Sequence, residues 1–417
     1  MQSSPKVVEF SQTIDAAAAG MDKAWLARIG DHLNRRYIEP GKIAGALTQV
    51  YRKGHLAYEQ ALGMMDLERQ KPMTRDTLFR IYSMSKPITS IAIMKLYEDG
   101  HFQLSDPVHR FIPEWRNMRV YVSGTYPNFM TKACDRHMTV KDLLMHTSGL
   151  TYDFMMRSNV DAAYRKSGDT RGKPGHTLKA MMAGLAKIPL EFSPGSAWNY
   201  SVSTDVLGYL VEVISGMPFD QYLRTQIFEP LGMNDTGFQV PESEVDRFAA
   251  CYARNRKKQL ILDDDPAESD YLKTKTFFSG GGGLVSTASD YMSFCRMLVN
   301  GGSLNGQRII GRKTLELMTC NHLPRNEDLT QWATGAFSET ANEGFGFGLG
   351  FSVNLGQART GSVESEGAYF WGGAASTIFW VDPKEELAVV FMTQLMPSGS
   401  FNFRGQLNAL VYAAIMD

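Results

Sequence analysis

Residues 77–100 read TLFRIYSMSKPITSIAIMKLYEDG. TLFRIYS at 77–83 has the β-branched and aromatic content of a short strand. From about residue 84 to 99 the apolar residues recur at helical spacing, and Gly100 ends the run. Pro87 does not forbid this helix, because a first-turn N–H would have no intrahelical partner anyway. The junction places Ser83 at the mouth of a helix N-terminus, within the tetrad Ser83-Met84-Ser85-Lys86. Residues i and i+3 share a helix face whereas i+1 and i+2 do not, so Ser83 meets Lys86 and Ser85 does not. A serine hydroxyl is a poor nucleophile until a base takes its proton. Burial would push Lys86 toward its neutral, basic form, and the helix dipole would help hold a developing oxyanion. S-x-x-K alone occurs by chance in many chains, so its meaning depends on the rest of the sequence.

Outward from this stretch, residues 22–38 carry Trp25, Leu26, Ile29, Leu33 and Tyr37 at three- and four-residue spacing, which predicts an amphipathic helix. GALTQVYRKG (45–54) and HLAYEQALG (55–63) alternate like two strands joined at Lys53-Gly54. From about 100 to 275 the signals are mostly helical and loop-like, with helices expected at 139–146, 177–186 and 203–215. Thr287 and Asp290 give a capping-box-like start to a helix over 287–302. After 340 the chain is strand-like again (FGFGLGFSV, SEGAYFWGG, ASTIFWVD, LAVVFMTQ), and a helix over 403–416 closes it. Strands at both ends with helices between predict an α/β domain made of residues 1–100 and 276–417, with a mainly helical domain, 101–275, inserted.

Composition narrows the function. The 417 residues carry 43 Lys+Arg against 44 Asp+Glu, a net charge of -1, so no basic footprint for nucleic acid or anionic membrane is present. Arg256-Lys257-Lys258 is a short solvated cluster. No apolar run approaches the roughly 18 residues of a membrane span, and Glu9 cuts short the N-terminal apolar segment. Cys134, Cys251, Cys295 and Cys320 are widely scattered with no C-x-x-C, and read as free thiols. A soluble, cytoplasmic protein is expected. The eight histidines show no metal-ligand spacing, so neither a metal nor another cofactor is expected.

Two further segments give the tetrad a context. Phe192-Ser193-Pro194-Gly195-Ser196-Ala197-Trp198-Asn199-Tyr200-Ser201 puts a Tyr-Ser pair just before a helix, where a phenol beside a lysine can shuttle protons. Trp371-Gly372-Gly373-Ala374 leads into a strand, with small residues that let a substrate approach backbone N–H donors. Taken singly, the first reads as a capping loop whose tyrosine simply packs, and the second can be read as an edge-strand bulge. Together, in this order, they resemble the serine β-lactamase and penicillin-binding-protein superfamily, and most closely the bacterial family VIII carboxylesterases. His146-Thr147-Ser148-Gly149-Leu150 and Gly280-Gly281-Gly282-Gly283-Leu284 strengthen the resemblance, which covers roughly residues 25 to 415.

The resemblance implies a β-lactamase/transpeptidase-like fold, an antiparallel sheet flanked by helices, and a serine esterase acting on small-molecule esters. Ser83 would be the nucleophile, with Lys86 and Tyr200 relaying its proton. The N–H groups of Ser83 and Ala374 would form the oxyanion hole, and Trp371, Gly372 and Gly373 would bind substrate. Which of Lys86 and Tyr200 is the resting base stays open. The departures matter as much: Val202 stands where the lactamases have Asn, and Trp371 stands where they have the Lys of K-T-G, which favours neutral acyl esters. A β-lactamase, D-amino-acid peptidase or acyltransferase on the same scaffold is the rival, as is a penicillin-binding or sensor module that acylates without turnover. An α/β-hydrolase would need G-x-S-x-G, which is absent. His146 is read as holding a turn and the glycine quartet as a close backbone crossing. Tyr126, Phe129, Tyr152 and Phe154 are candidates for a substrate pocket, with an ordinary interdomain core as the default.

Overall fold

The computed structural model describes residues 13–170, 175–335 and 343–417. An eight-stranded sheet is built from both ends of the chain: β1 (Gly45–Arg52), β2 (His55–Asp66), β3 (Lys71–Pro72), β4 (Phe345–Phe347), β5 (Ser352–Asn354), β6 (Tyr369–Gly372), β7 (Ile378–Asp382) and β8 (Leu387–Met392), in the spatial order 4-5-6-7-8-1-2-3. Every neighbouring pair is antiparallel. Lys53 and Gly54 both have positive φ, the backbone of a two-residue hairpin turn between β1 and β2.

The unbroken apolar run of β8 follows from burial on both faces. Ala388, Val390 and Met392 join the larger hydrophobic core, while Leu387, Val389 and Phe391 join a second core on the opposite face. The second core is closed by α1 (Lys23–Leu33), through Leu26, Ile29 and Leu33, and by the C-terminal α5 (Phe403–Tyr412), through Phe403, Leu407 and Val411. The larger core holds α2 (Ser85–Glu98), α3 (Ser203–Ser215) and α4 (Ala288–Val299). α4 lies on β8, and α2 packs against α3. Helix α2 is buried on nearly every side, which is why apolar residues surround it instead of forming one stripe.

The structure departs from the sequence reading in three places. The strand expected over 77–83 shrinks to Phe79–Arg80, paired with Val285–Ser286, because the chain turns sharply at Tyr82 (φ 42°) to enter α2. The middle of the chain contains two hairpins, Arg119–Thr125 with Asn128–Ala133 and Cys251–Arg254 with Leu260–Asp264. The second also pairs with Leu395–Met396. The capping box expected on α4 is half formed: Thr287 accepts from the Asp290 N–H, whereas the Asp290 carboxylate accepts instead from the Asp235 N–H and the Thr236 hydroxyl. All four cysteines are free thiols.

Candidate active site

Ser83 sits in a single 3₁₀ turn, Tyr82–Met84, that leads directly into α2. This turn leaves the Ser83 side chain half-exposed and puts Lys86 one helical step away on the same side. Lys86 Nζ donates to Ser83 Oγ at 3.1 Å, and the Tyr200 hydroxyl donates to the same oxygen at 2.6 Å. Tyr200 arrives from the loop before α3, so two distant segments converge on one hydroxyl. Ser85, by contrast, is buried and accepts from the Leu284 N–H, tying α2 to the glycine segment. Both rings near the lysine turn their faces toward it: Nζ lies 4.4 Å from the Tyr200 centroid and 5.2 Å from that of Tyr152.

The glycine quartet is a close backbone crossing, wedged between the first turns of α2 and α3. A Cβ on Gly280 would sit 2.7 Å from Thr204 O, and one on Gly281 would sit 2.6 Å from Asp205 Oδ2 and 2.8 Å from the Tyr152 hydroxyl. At 280 the obstacle is backbone, so only glycine fits; at 281 it is the ends of two side chains. With the backbone so close, Lys86 Nζ donates to Gly281 O at 2.6 Å and Thr89 Oγ1, one turn on, donates to Gly280 O at 2.9 Å. Asp205, 3% exposed, takes the Ser279 hydroxyl and the Gly281 N–H on the far side. Burial raises its pKa, against the lowering effect of the Ser279 hydrogen bond and the Lys86 charge.

His146 lies under Tyr200, with ring centroids 5.1 Å apart, and its Nδ1 pairs with Ser201 Oγ at 3.2 Å. Its backbone has φ 58° and its carbonyl accepts from the Asn199 N–H, so it does hold a turn. Burial, reinforced by the charge of Lys86, pushes its pKa well down and keeps the imidazole neutral.

The third segment ends β6 beside the Ser83 turn. A Cβ on Gly373 would meet Ile81 O at 2.4 Å and Thr377 Oγ1 at 2.3 Å, so the two backbones touch. The Gly373 N–H is used by Thr377 O at 2.7 Å, which leaves Ala374 as the next amide along. Trp371 is 1% exposed, and its ring packs against Tyr200 at 5.6 Å and Phe347 at 5.5 Å. Of the aromatic candidates, Tyr152 stacks on Phe154 at 4.6 Å and borders Tyr200 at 5.2 Å, while Tyr126 and Phe129 belong to the 119–133 hairpin region. Phe154 is exposed, at the outer end of that stack.

The Beta-lactamase family matches residues 31–413. The chain belongs to the beta-lactamase family. Esterase EstB of Burkholderia gladioli is 30% identical over 407 residues, covering 93% of this chain and 95% of that protein. An uncharacterized protein of Mycobacterium tuberculosis is 32% identical over 366 residues, covering 87% and 88%. Among solved structures, EstCE1, described as a hydrolase with promiscuous acyltransferase activity, superposes with a TM-score of 0.76 at 26% identity over 94% of this chain and 99% of that one. The fold is thus β-lactamase/transpeptidase-like and the chain a serine hydrolase, fitting the family VIII esterases of that superfamily.

Val202 is buried at the start of α3 and offers no amide. Sequence reasoning missed two groups. Asp205 is one, a carboxylate that opens the apolar run Val206-Leu207 of α3 and is itself a signal. Arg404 is the other: its guanidinium donates to Trp371 O at 3.0 Å and Phe379 O at 3.2 Å, behind the third segment. It lines a cavity of about 790 Å³ with Gly372, Gly373 and Thr377, on the side of the last helix. Ser83, Lys86 and Tyr200 are not among that cavity's walls. No helix among the described residues is long and apolar enough to cross a membrane.

Proposed function

We propose that this protein is a carboxylesterase that hydrolyses short-to-medium acyl esters of small molecules through an acyl-enzyme on Ser83. The observation that carries the reading is the pair of donors on one hydroxyl, Lys86 Nζ at 3.1 Å and the Tyr200 hydroxyl at 2.6 Å. In acylation Ser83 Oγ attacks the ester carbonyl, and its proton passes through Lys86 and Tyr200 to the leaving alcohol. Water then takes the same route in reverse and releases the acid. The oxyanion is held by the N–H groups of Ser83 and Ala374, with Gly372 and Gly373 beside it and the buried Trp371 behind them, backing the Tyr200 ring. We take residues 1–100 with 276–417 as one domain and 101–275 as the insertion that brings Tyr200 to it.

Acyl transfer to an alcohol is the second reading, favoured by the likeness to EstCE1. Hydrolysis of a p-nitrophenyl ester series by wild type and Ser83→Ala, with and without an added alcohol, separates the readings. Esterase action predicts steady turnover that vanishes in Ser83→Ala. Rate and product both shifting to the transferred ester would favour acyl transfer, and a burst without turnover would favour a silent penicillin-binding module.

A further inference from the structure

We propose that Asp205 is a positioning residue that fixes the reach and the proton affinity of Lys86 by clamping Gly281 between them. The inference rests on the reading of Lys86 as part of the proton relay. Three observations converge. Asp205 is a buried carboxylate in the first turn of α3, five residues past Tyr200, and no step of the hydrolysis uses it. It accepts the Gly281 N–H at 3.1 Å, while the carbonyl of the same residue accepts from Lys86 Nζ at 2.6 Å. The carboxylate lies directly against Gly281, where a Cβ would meet Asp205 Oδ2 at 2.6 Å.

An ammonium has three N–H donors that rotate together. With one committed to Gly281 O, the group is oriented toward Ser83 Oγ at 3.1 Å, so that loss of the proton on that side leaves the lone pair aimed at the serine hydroxyl. If Gly281 moved, that orientation would be lost. Charge acts alongside geometry. Among the groups facing Lys86 are Ser83, the ring faces of Tyr200 and Tyr152, the Gly281 carbonyl, and the neutral imidazole of His146. Asp205, behind Gly281, adds a carboxylate to these groups, and a buried negative charge favours a positive partner nearby. The Ser279 hydroxyl, which donates to Asp205 Oδ1, favours the ionised carboxylate and opposes the rise in pKa that burial imposes.

Asp205→Asn separates the two contributions, because an amide oxygen still accepts from Ser279 and Gly281 while the charge is gone. The readout is the rate at which a fluorophosphonate probe labels Ser83 as a function of pH, which needs no knowledge of the natural ester. In Asp205→Asn the limb of the profile that reports the lysine proton should move to lower pH by about one unit, the size of effect a neighbouring opposite charge gives. The maximal rate should fall about tenfold. Ser279→Ala should move the limb the same way by less, since it weakens the ionised form of Asp205, and it carries the test if Asp205→Asn does not fold. A profile that is scaled down but unmoved in the folded variant would overturn the proposal and leave Asp205 a packing residue. Failure of wild type to hydrolyse esters would defeat the esterase reading alone, because labelling of Ser83 and its pH dependence would still be measurable.

Discussion

Removing the Tyr200 hydroxyl isolates one member of the relay without disturbing its frame. The ring packs against His146 at 5.1 Å, Tyr152 at 5.2 Å and Trp371 at 5.6 Å, and a phenylalanine keeps all three contacts. What disappears is the hydrogen bond to Ser83 Oγ at 2.6 Å and the path from that oxygen to the leaving group. A positioned proton donor or acceptor contributes about 10²–10⁴ in rate, or roughly 3–5 kcal/mol of barrier at about 1.4 kcal/mol per decade. Tyr200→Phe should therefore lower kcat on p-nitrophenyl butyrate by about a hundredfold or more, with KM little changed and a thermal melt close to wild type. The loss should be larger on an alkyl ester of the same acid, because an alkoxide needs a proton to leave and p-nitrophenolate does not. A kcat within about threefold of wild type on both esters would demote Tyr200 to packing and refute the relay.

Gly373→Ala should cut kcat several-fold or more, since its Cβ would collide with Ile81 O at 2.4 Å and push β6 away from the Ser83 turn; overpacking of this kind costs about 1–3 kcal/mol, and unchanged kinetics would show that the two segments need not touch. A cephalosporin should be turned over roughly 30- to 1000-fold less efficiently than p-nitrophenyl butyrate, because Val202 removes an amide hydrogen bond and Trp371 a cation, together about 2–4 kcal/mol. Parity that is lost in Arg404→Gln would mean that the guanidinium behind β6 replaces the missing charge. Asp290→Asn concerns stability. Burial raises the Asp290 pKa to about 7, above the roughly 3.9 of an unfolded chain, so this group's contribution is full below about pH 4 and is lost as pH rises through 7. The Asn variant escapes that loss and should gain Tm relative to wild type between pH 5 and pH 8; a difference independent of pH would contradict it.

How much the sequence disclosed depended on how each segment is buried. The run LAVVFM was readable as a strand because both faces of β8 meet a core. The hairpin at 119–133 was not, since most of its residues are exposed or half-buried and show no one-sided alternation. The Arg256-Lys257-Lys258 cluster is exposed, as a solvated cluster should be, and forms the turn of the 251–264 hairpin, with Lys258 at positive φ. At the site, Ser83 and Lys86 were legible from local spacing, and Tyr200 from the motif around it. Asp205 escaped because its meaning lies in a crossing of residues 205 and 281, which no local pattern encodes. Trp371 was identified by motif as a substrate contact, but its burial against Tyr200 makes it first a support for that ring.

The central claim is that one hydroxyl, bracketed by Lys86 and Tyr200, forms the covalent intermediate. Labelling the intact protein with a fluorophosphonate probe and mapping the adduct by peptide mass spectrometry tests it most directly. The account predicts a single adduct on Ser83, absent in Ser83→Ala, with Ser85 unmodified because it is buried and bonded to the Leu284 N–H. An adduct on Ser85 or any other residue, or full esterase activity in Ser83→Ala, would contradict it.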